Sequence, residues 1–222
     1  VEVAGKANND ITVNLENTKT ATATSETTKA EVSGTGVEIA NGSNGIINID
    51  VKQSNLQVAN DGNLVNIGTV AGTATVDINN NVELVGTGNL VNIGVITGTT
   101  NVNINQDVDF AKDATGNIVK ADAITAGTLN VNLNVKEGSL NVKEGKTAIN
   151  LAAVSGDNVA SVKNTGNVTI AETGTLLAGS NDKVISLTNQ GLITLETKND
   201  TAKDAASHIS TGEKVNVANY GT

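Results

Sequence analysis

Residues 63–73 read NLVNIGTVAGT and residues 89–99 read NLVNIGVITGT, a near-copy displaced by 26 positions. The copy continues at that offset. Thr75-Val76-Asp77-Ile78-Asn79 becomes Asn101-Val102-Asn103-Ile104-Asn105, and Val82-Glu83-Leu84 becomes Val108-Asp109-Phe110. A period in the twenties, built of short alternating β-branched runs, is the signature of a stacked solenoid. One coil cannot bury its own apolar face and needs a neighbour above and below.

Each copy holds three strand-like pieces, in one case Leu64-Val65-Asn66-Ile67, Thr75-Val76-Asp77-Ile78 and Val82-Glu83-Leu84. Gly68, Gly72, Asn79-Asn80-Asn81 and Gly86 are expected to make the turns, where positive φ or a side-chain bond to the backbone is needed. Alternation in VDI and VEL places one set of residues inside and the polar set outside. The layout is all-β, a parallel β-helix with three short strands per coil.

The third strand is followed as Val37-Glu38-Ile39, Leu56-Gln57-Val58, Val82-Glu83-Leu84, Val108-Asp109-Phe110 and Leu140-Asn141-Val142. It continues as Val168-Thr169-Ile170, Ile193-Thr194-Leu195 and Val215-Asn216-Val217. Corners absorb the variable spacing while strands hold register. About eight coils, each rising ~4.8 Å, predict a rod of roughly 40 Å. Asparagine recurs just after the middle strand at Asn79, Asn105 and Asn134, with Asp50 at the matching point earlier. Stacking brings these side chains into a hydrogen-bonded ladder, as in other cross-β stacks; the alternative is a polar binding stripe.

Composition agrees with a narrow interior. Phe110 and Tyr220 are the only aromatics, and Trp, Met, Cys, Pro and Arg are absent from all 222 residues. A globular core usually contains several aromatics, which bury ~150–250 Å² each. The net charge is −9 and the 14 basic residues, all Lys, are scattered, which excludes nucleic acid as a partner. No stretch approaches the ~20 apolar residues of a membrane span, so no membrane insertion by this segment is expected. Both ends read as cut mid-coil. Val1-Glu2-Val3-Ala4 matches Val37-Glu38-Ile39-Ala40, and Val217-Ala218-Asn219-Tyr220-Gly221-Thr222 matches Leu187-Thr188-Asn189-Gln190-Gly191-Leu192. A single β-helix segment over 1–222, a fragment of a longer protein, is the expected organisation.

Two stretches leave the coil pattern: 17–31 (NTKTATATSETTKAE) and 197–210 (TKNDTAKDAASHIS). Both read as protruding insertions, the places where solenoids carry function. Their candidate interaction residues are Thr18, Thr20, Thr22, Thr24 and Glu26 in the first, and Lys198, Asp200, Lys203, Asp204 and His208 in the second.

Catalytic chemistry is poorly supported. His208 is the one histidine, and Ser207 or Ser210 beside it lacks any nucleophile-elbow context. Asp107 and Asp109 lie two apart on a strand, as a glycosidase pair might, yet their counterparts one coil earlier are Asn81 and Glu83. An outward polar face explains both. No calcium-binding nonapeptide or EF-hand spacing occurs, so neither metal nor cofactor is expected. The Thr-x-Thr rows of ice-binding solenoids break where Thr73-x-Thr75 becomes Thr99-x-Asn101.

The phrase apolar-x-Asn-x-Gly-x-apolar-x-apolar appears at Val162–Ile170, returns at Leu187–Leu195 and begins again at Val217-Ala218-Asn219-Tyr220-Gly221. This phrase, with the Asn-, Thr-, Gly- and Val-rich composition, resembles the passenger repeats of large Gram-negative autotransporter adhesins of the fusobacterial type. The resemblance covers most of the chain as repeat style, without a transferable binding motif. It implies a right-handed helix displayed at the cell surface, anchored in the outer membrane by a barrel outside this segment, or secreted. It also implies a host or bacterial surface protein or glycan as partner. The alternatives are a β-helical polysaccharide lyase or hydrolase, and a self-assembling surface fibre, in which copies of the chain associate.

Overall fold

The computed structural model describes residues 2–3, 10–15, 30–32, 34–39, 45–52, 56–154, 160–180, 184–196, 208–212 and 214–222. Its strands form three parallel sheets of eight, eight and seven strands, each coil adding one strand to each sheet. No helix occurs among the described residues, and none is long and apolar enough to cross a membrane. The chain is a β-solenoid.

In the repeat that opens the sequence reading, Val65–Val70 belongs to the first sheet, Thr73–Ile78 to the middle sheet and Val82–Leu84 to the third. The next copy stacks on it residue for residue: Val65 on Val91, Val76 on Val102, Leu84 on Phe110. Like side chains therefore meet like, and one apolar cluster runs through the stack. Val, Ile and Leu suffice because each inward position is covered by its equivalent above and below. Phe110 is the exception in size, and it too is buried, on the Leu84 position.

Four expectations need correction. Val37–Ile39 pairs with Val65–Val70 and so lies in the first sheet, while the third sheet starts at Ala30–Val32. Val215–Asn219 pairs with Ile185–Asn189 in the middle sheet, and the third sheet ends at Leu192–Leu195. An apolar-polar-apolar triplet states which side chains point in, but all three sheets use that pattern. Gly68 lies inside the strand Val65–Val70 rather than in a turn. There the alternation slips, with Val65, Ile67 and Val70 buried: the strand bends at Gly68-Thr69, and its pairing skips Gly68 and resumes at Thr69. Finally, the insertions are shorter than drawn. Ala30 and Glu31 are strand residues, and His208–Thr211 forms a first-sheet strand on Thr175–Ala178.

Among the described buried polar residues of the interior, Thr100 is the one whose side chain is left without a partner. Thr100 stacks between Ala74 and Leu129, is fully buried, and its hydroxyl has no hydrogen-bond partner. A buried hydroxyl without a partner is destabilising, whereas an apolar group of the same shape is not. Thr100→Val is therefore expected to raise unfolding stability by about 1 kcal/mol, measured by denaturant titration. A loss of stability would mean that the hydroxyl is bonded after all.

Candidate functional site

Two features of the described surface carry polar chemistry: rows of amides that lock coil to coil, and a notch where the corners shorten.

Three of the rows begin on carboxylates. Asn79 donates through Nδ2 to Asp50 Oδ1 at 2.8 Å, Asn105 to Asn79 Oδ1 at 2.7 Å, and Asn134 to Asn105 Oδ1 at 3.0 Å. Thr165 closes this row by donating its hydroxyl to Asn134 at 2.9 Å. A second row runs from Asp77 through Asn103 (2.7 Å) to Asn132 (2.8 Å). A third runs from Glu38 through Asn66 (2.9 Å) to Asn92 (2.7 Å). A carboxylate only accepts, so the first amide must turn its NH₂ toward it. Its oxygen then faces the next coil, where the next amide must donate in turn. Each acid thereby sets the direction of a whole row.

Asp50 is not at the register position the sequence suggests. It lies opposite Asp77, and the position equivalent to Asn79 is Lys52, since Asn79 N–H bonds Val51 O just as Asn105 N–H bonds Ile78 O. Asn79 reaches Asp50 diagonally, and the Lys52 ammonium holds the other carboxylate oxygen at 2.8 Å. Burial works to raise the Asp50 pKa. Hydrogen bonds from Lys52 and Asn79, with the Lys52 charge, outweigh it and hold the carboxyl below its ordinary value. A depressed folded pKa contributes stability that is present above the unfolded value of about 3.9 and is lost as pH falls through the folded one. Unfolding free energy measured against pH should fall below that point, and Asp50→Asn should flatten the fall. An unchanged acid slope in the variant would remove Asp50 from the account.

The other predicted residues fall as follows. Thr18, Thr20, Thr22, Thr24, Glu26, Lys198, Asp200, Lys203 and Asp204 lie outside the described residues. His208 is exposed on its strand, opposite Thr175, and its N–H bonds Gly174 O at 2.8 Å. Asp109 pairs with Lys143 at 3.1 Å, while Asp107 packs over Gly138, so the two do not form a facing acid pair. Among the described residues no group of three or more His, Cys, Asp or Glu could hold a metal ion.

The notch was not read from the sequence. The corner between third and first sheets has six residues at 59–64 and 85–90, eight at 111–118, and then four at 143–146 and 171–174. The short corners are tight turns, closed by Lys146 N–H to Lys143 O at 3.0 Å and Gly174 N–H to Ala171 O at 2.9 Å. The turns require left-handed backbone at Gly145 (φ 68°) and Thr173 (φ 59°). Thr173 is held there partly by its hydroxyl, which accepts Gly145 N–H at 2.9 Å. The step from long to short corner leaves a cleft of about 240 Å³ between Ala114–Asn117 and Gly145–Thr147. A groove of about 440 Å³ past Lys112, Lys143 and Lys146 shares Lys146 with it. The spacing of strands along the chain carries this signal, but only as a difference between two coils.

No family model, no characterised protein and no solved structure matches this chain.

Proposed function

We propose that this chain is a segment of a surface-displayed, autotransporter-type adhesin passenger, a stalk that holds loops away from a cell for attachment to host cells or other bacteria. The observation that carries this reading is the directional amide rows. They tie coil to coil along the stack, which suits an element whose task is to span distance. The proposal rests further on the repeat style of the Asn-x-Gly phrases. The engaged carboxylates favour it over a glycan-cleaving enzyme: Glu38, Asp50 and Asp77 accept from amides, and Asp109 is bound to Lys143. Such acids are committed to structure rather than poised for proton transfer.

The test is binding of the folded chain to host and bacterial cells by flow cytometry, beside versions with 16–29 or 197–207 replaced by tight turns. Those limits spare the strands at Ala30–Val32 and His208–Thr211. Binding lost with one insertion makes this segment a recognition module; no binding by folded protein makes it a spacer. Release of reducing ends or unsaturated products from polysaccharides would overturn the reading in favour of an enzyme. Concentration-dependent growth in sedimentation would favour the fibre.

A further inference from the structure

We propose that the slot over Leu192–Leu195 takes up an extended segment of another polypeptide, which joins the third sheet as a parallel strand with apolar residues at alternate positions. This goes beyond the stalk reading and does not depend on it, because the slot is a property of the described coils.

The first and middle sheets each hold eight strands, and the third holds seven. His208–Thr211 and Val215–Asn219 rise one level above Thr175–Ala178 and Ile185–Asn189, but no described strand stands above Leu192–Leu195. The step leaves a hollow of about 170 Å³. Ile193 and Leu195 line it from the edge strand, with Leu187 beneath, and Ile209, Val217 and Asn219 line it from the level above. Burial marks the open side. Ile170, which Leu195 covers, is fully buried, whereas Leu195 itself is 45% exposed. An edge of this kind offers its backbone N–H and C=O groups to another chain.

The lip of the slot sets the register. Thr222 O accepts Ile193 N–H at 2.8 Å and Asn189 Nδ2 at 3.3 Å, which places Thr222 opposite Leu192. Main-chain groups alternate in direction along a ladder, so Leu195 N–H and the Ile193 and Leu195 carbonyls face the same side as Ile193 N–H. Among the described residues they meet no strand there. A strand that starts beside Thr222 gains three main-chain bonds. Its second residue donates to Ile193 O and accepts from Leu195 N–H, and its fourth donates to Leu195 O. Its first and third side chains point inward onto Ile193 and Leu195, as those two sit on the buried Val168 and Ile170. The matching chemistry is apolar-polar-apolar, with a small polar residue outward beside Thr194, which itself stacks on Thr169.

A second copy of the chain does not fit. Copies stacked sheet on sheet set Glu2–Val3 on His208–Thr211 and Ile11–Leu15 on Val215–Asn219. The first third-sheet strand of the added copy, Ala30–Val32, then lies one level too high, and the slot stays unfilled.

The test titrates the full ¹⁵N-labelled chain with the peptide Val-Thr-Ile-Ala-Glu-Thr, the sequence of residues 168–173. Amide shifts confined to 193–196 and 217–222 are expected, with a Kd of roughly a millimolar, and exchange of Leu195 N–H should slow. The same peptide N-methylated at its first Thr loses the bond to Ile193 O and should bind roughly tenfold more weakly. Thr-Val-Ala-Ile-Glu-Thr, equal in composition but opposite in alternation, should be weakened at least as much. Leu195→Lys should weaken binding of the parent peptide by about tenfold too, with the rest of the spectrum unchanged as the check on folding. Equal binding of the reordered peptide would overturn the proposal, since it would leave only a non-specific apolar patch. So would the absence of shifts up to tens of millimolar peptide. Concentration-dependent protection of Leu195 N–H in the chain alone would also overturn it, giving the slot to a second copy.

Discussion

Gly88→Ala is expected to lower the stability of the stack by about 3–5 kcal/mol, whereas Gly34→Ala should be close to neutral. Gly34, Gly62, Gly88 and Gly116 stand at one corner of successive coils, and Gly62, Gly88 and Gly116 are buried. A Cβ on Gly88 would overlap the Gly62 carbonyl oxygen, and one on Gly116 the Gly88 carbonyl oxygen. These are backbone atoms, so no side-chain rotation relieves the contact. The coils must part, straining the bonds from Thr87 and Gly88 to Asn60 O (2.6 and 3.1 Å) and from Thr115 and Gly116 to Gly86 O (2.9 and 3.4 Å). A Cβ on Gly34 meets nothing within 4 Å, and its turn is otherwise the same row, so it is the internal control.

Because each coil touches only its neighbours, the damage should be local. Hydrogen exchange should speed up in the coils around residue 88 before the stack near residue 164 responds. Denaturant unfolding should broaden as two-state behaviour is lost. Equal stability of Gly88→Ala and Gly34→Ala would show that the coils are not packed backbone on backbone at this corner. Insertion of any side chain at Gly62 or Gly116 should behave as at Gly88.

Much of this architecture is visible in the residues, and the parts that are not share a cause. Copies 26 apart stack in register because period and coil are the same thing, so Val65 meets Val91 and Asp77 meets Asn103. Outward amides recur at matching points of successive coils, and hydrogen bonds run through them. What a single coil cannot reveal is a relation between coils. Val37–Ile39 and Val215–Asn219 have the in-out-in pattern of any sheet, and only pairing assigns them. His208–Thr211 has one large apolar residue and reads as part of a polar insertion, yet its ladder with Thr175–Ala178 makes it a strand. The notch likewise appears only when an eight-residue corner is laid under a four-residue one.

The Asn-x-Gly phrase is the sharpest case, and it leads to the second large effect. On the inward row at the end of the middle sheet, Leu15, Val51, Ile78, Ile104 and Leu133 follow one another, and then the row changes to Asn164, Asn189 and Asn219. Asn164 is fully buried. Its Oδ1 accepts Gly166 N–H at 3.1 Å, and its Nδ2 donates to Gly166 O at 3.2 Å and to Asn189 Oδ1 at 2.8 Å. Asn189 repeats the arrangement with Gly191 and donates to Asn219 Oδ1 at 2.8 Å. The glycine is required for the same reason as at the other corner: a Cβ on Gly191 would overlap the Gly166 carbonyl oxygen. Asparagine thus supplies, inside the stack, a donor and an acceptor for a turn whose backbone has no water to bond.

Asn164→Ala should therefore cost about 3–4 kcal/mol, the penalty for leaving several buried polar groups without partners. Asn164→Leu is the discriminating variant. It restores the residue type of the coil below, where Leu133 occupies the register position, and on hydrophobicity alone it should stabilise. It leaves the Gly166 N–H without its acceptor and the Asn189 oxygen without its donor, so a loss of about 2–4 kcal/mol is expected instead. Asn164→Asp keeps the acceptor for Gly166 N–H but buries a charge and loses the donor. Burial raises that carboxyl's pKa, so the variant should be destabilised at neutral pH and recover on acidification as the proton returns a donor. Unfolding titrations of the three variants at pH 7 and near pH 4 separate the accounts. A leucine variant as stable as the parent would mean that the inner asparagines are passengers of the turn rather than its support.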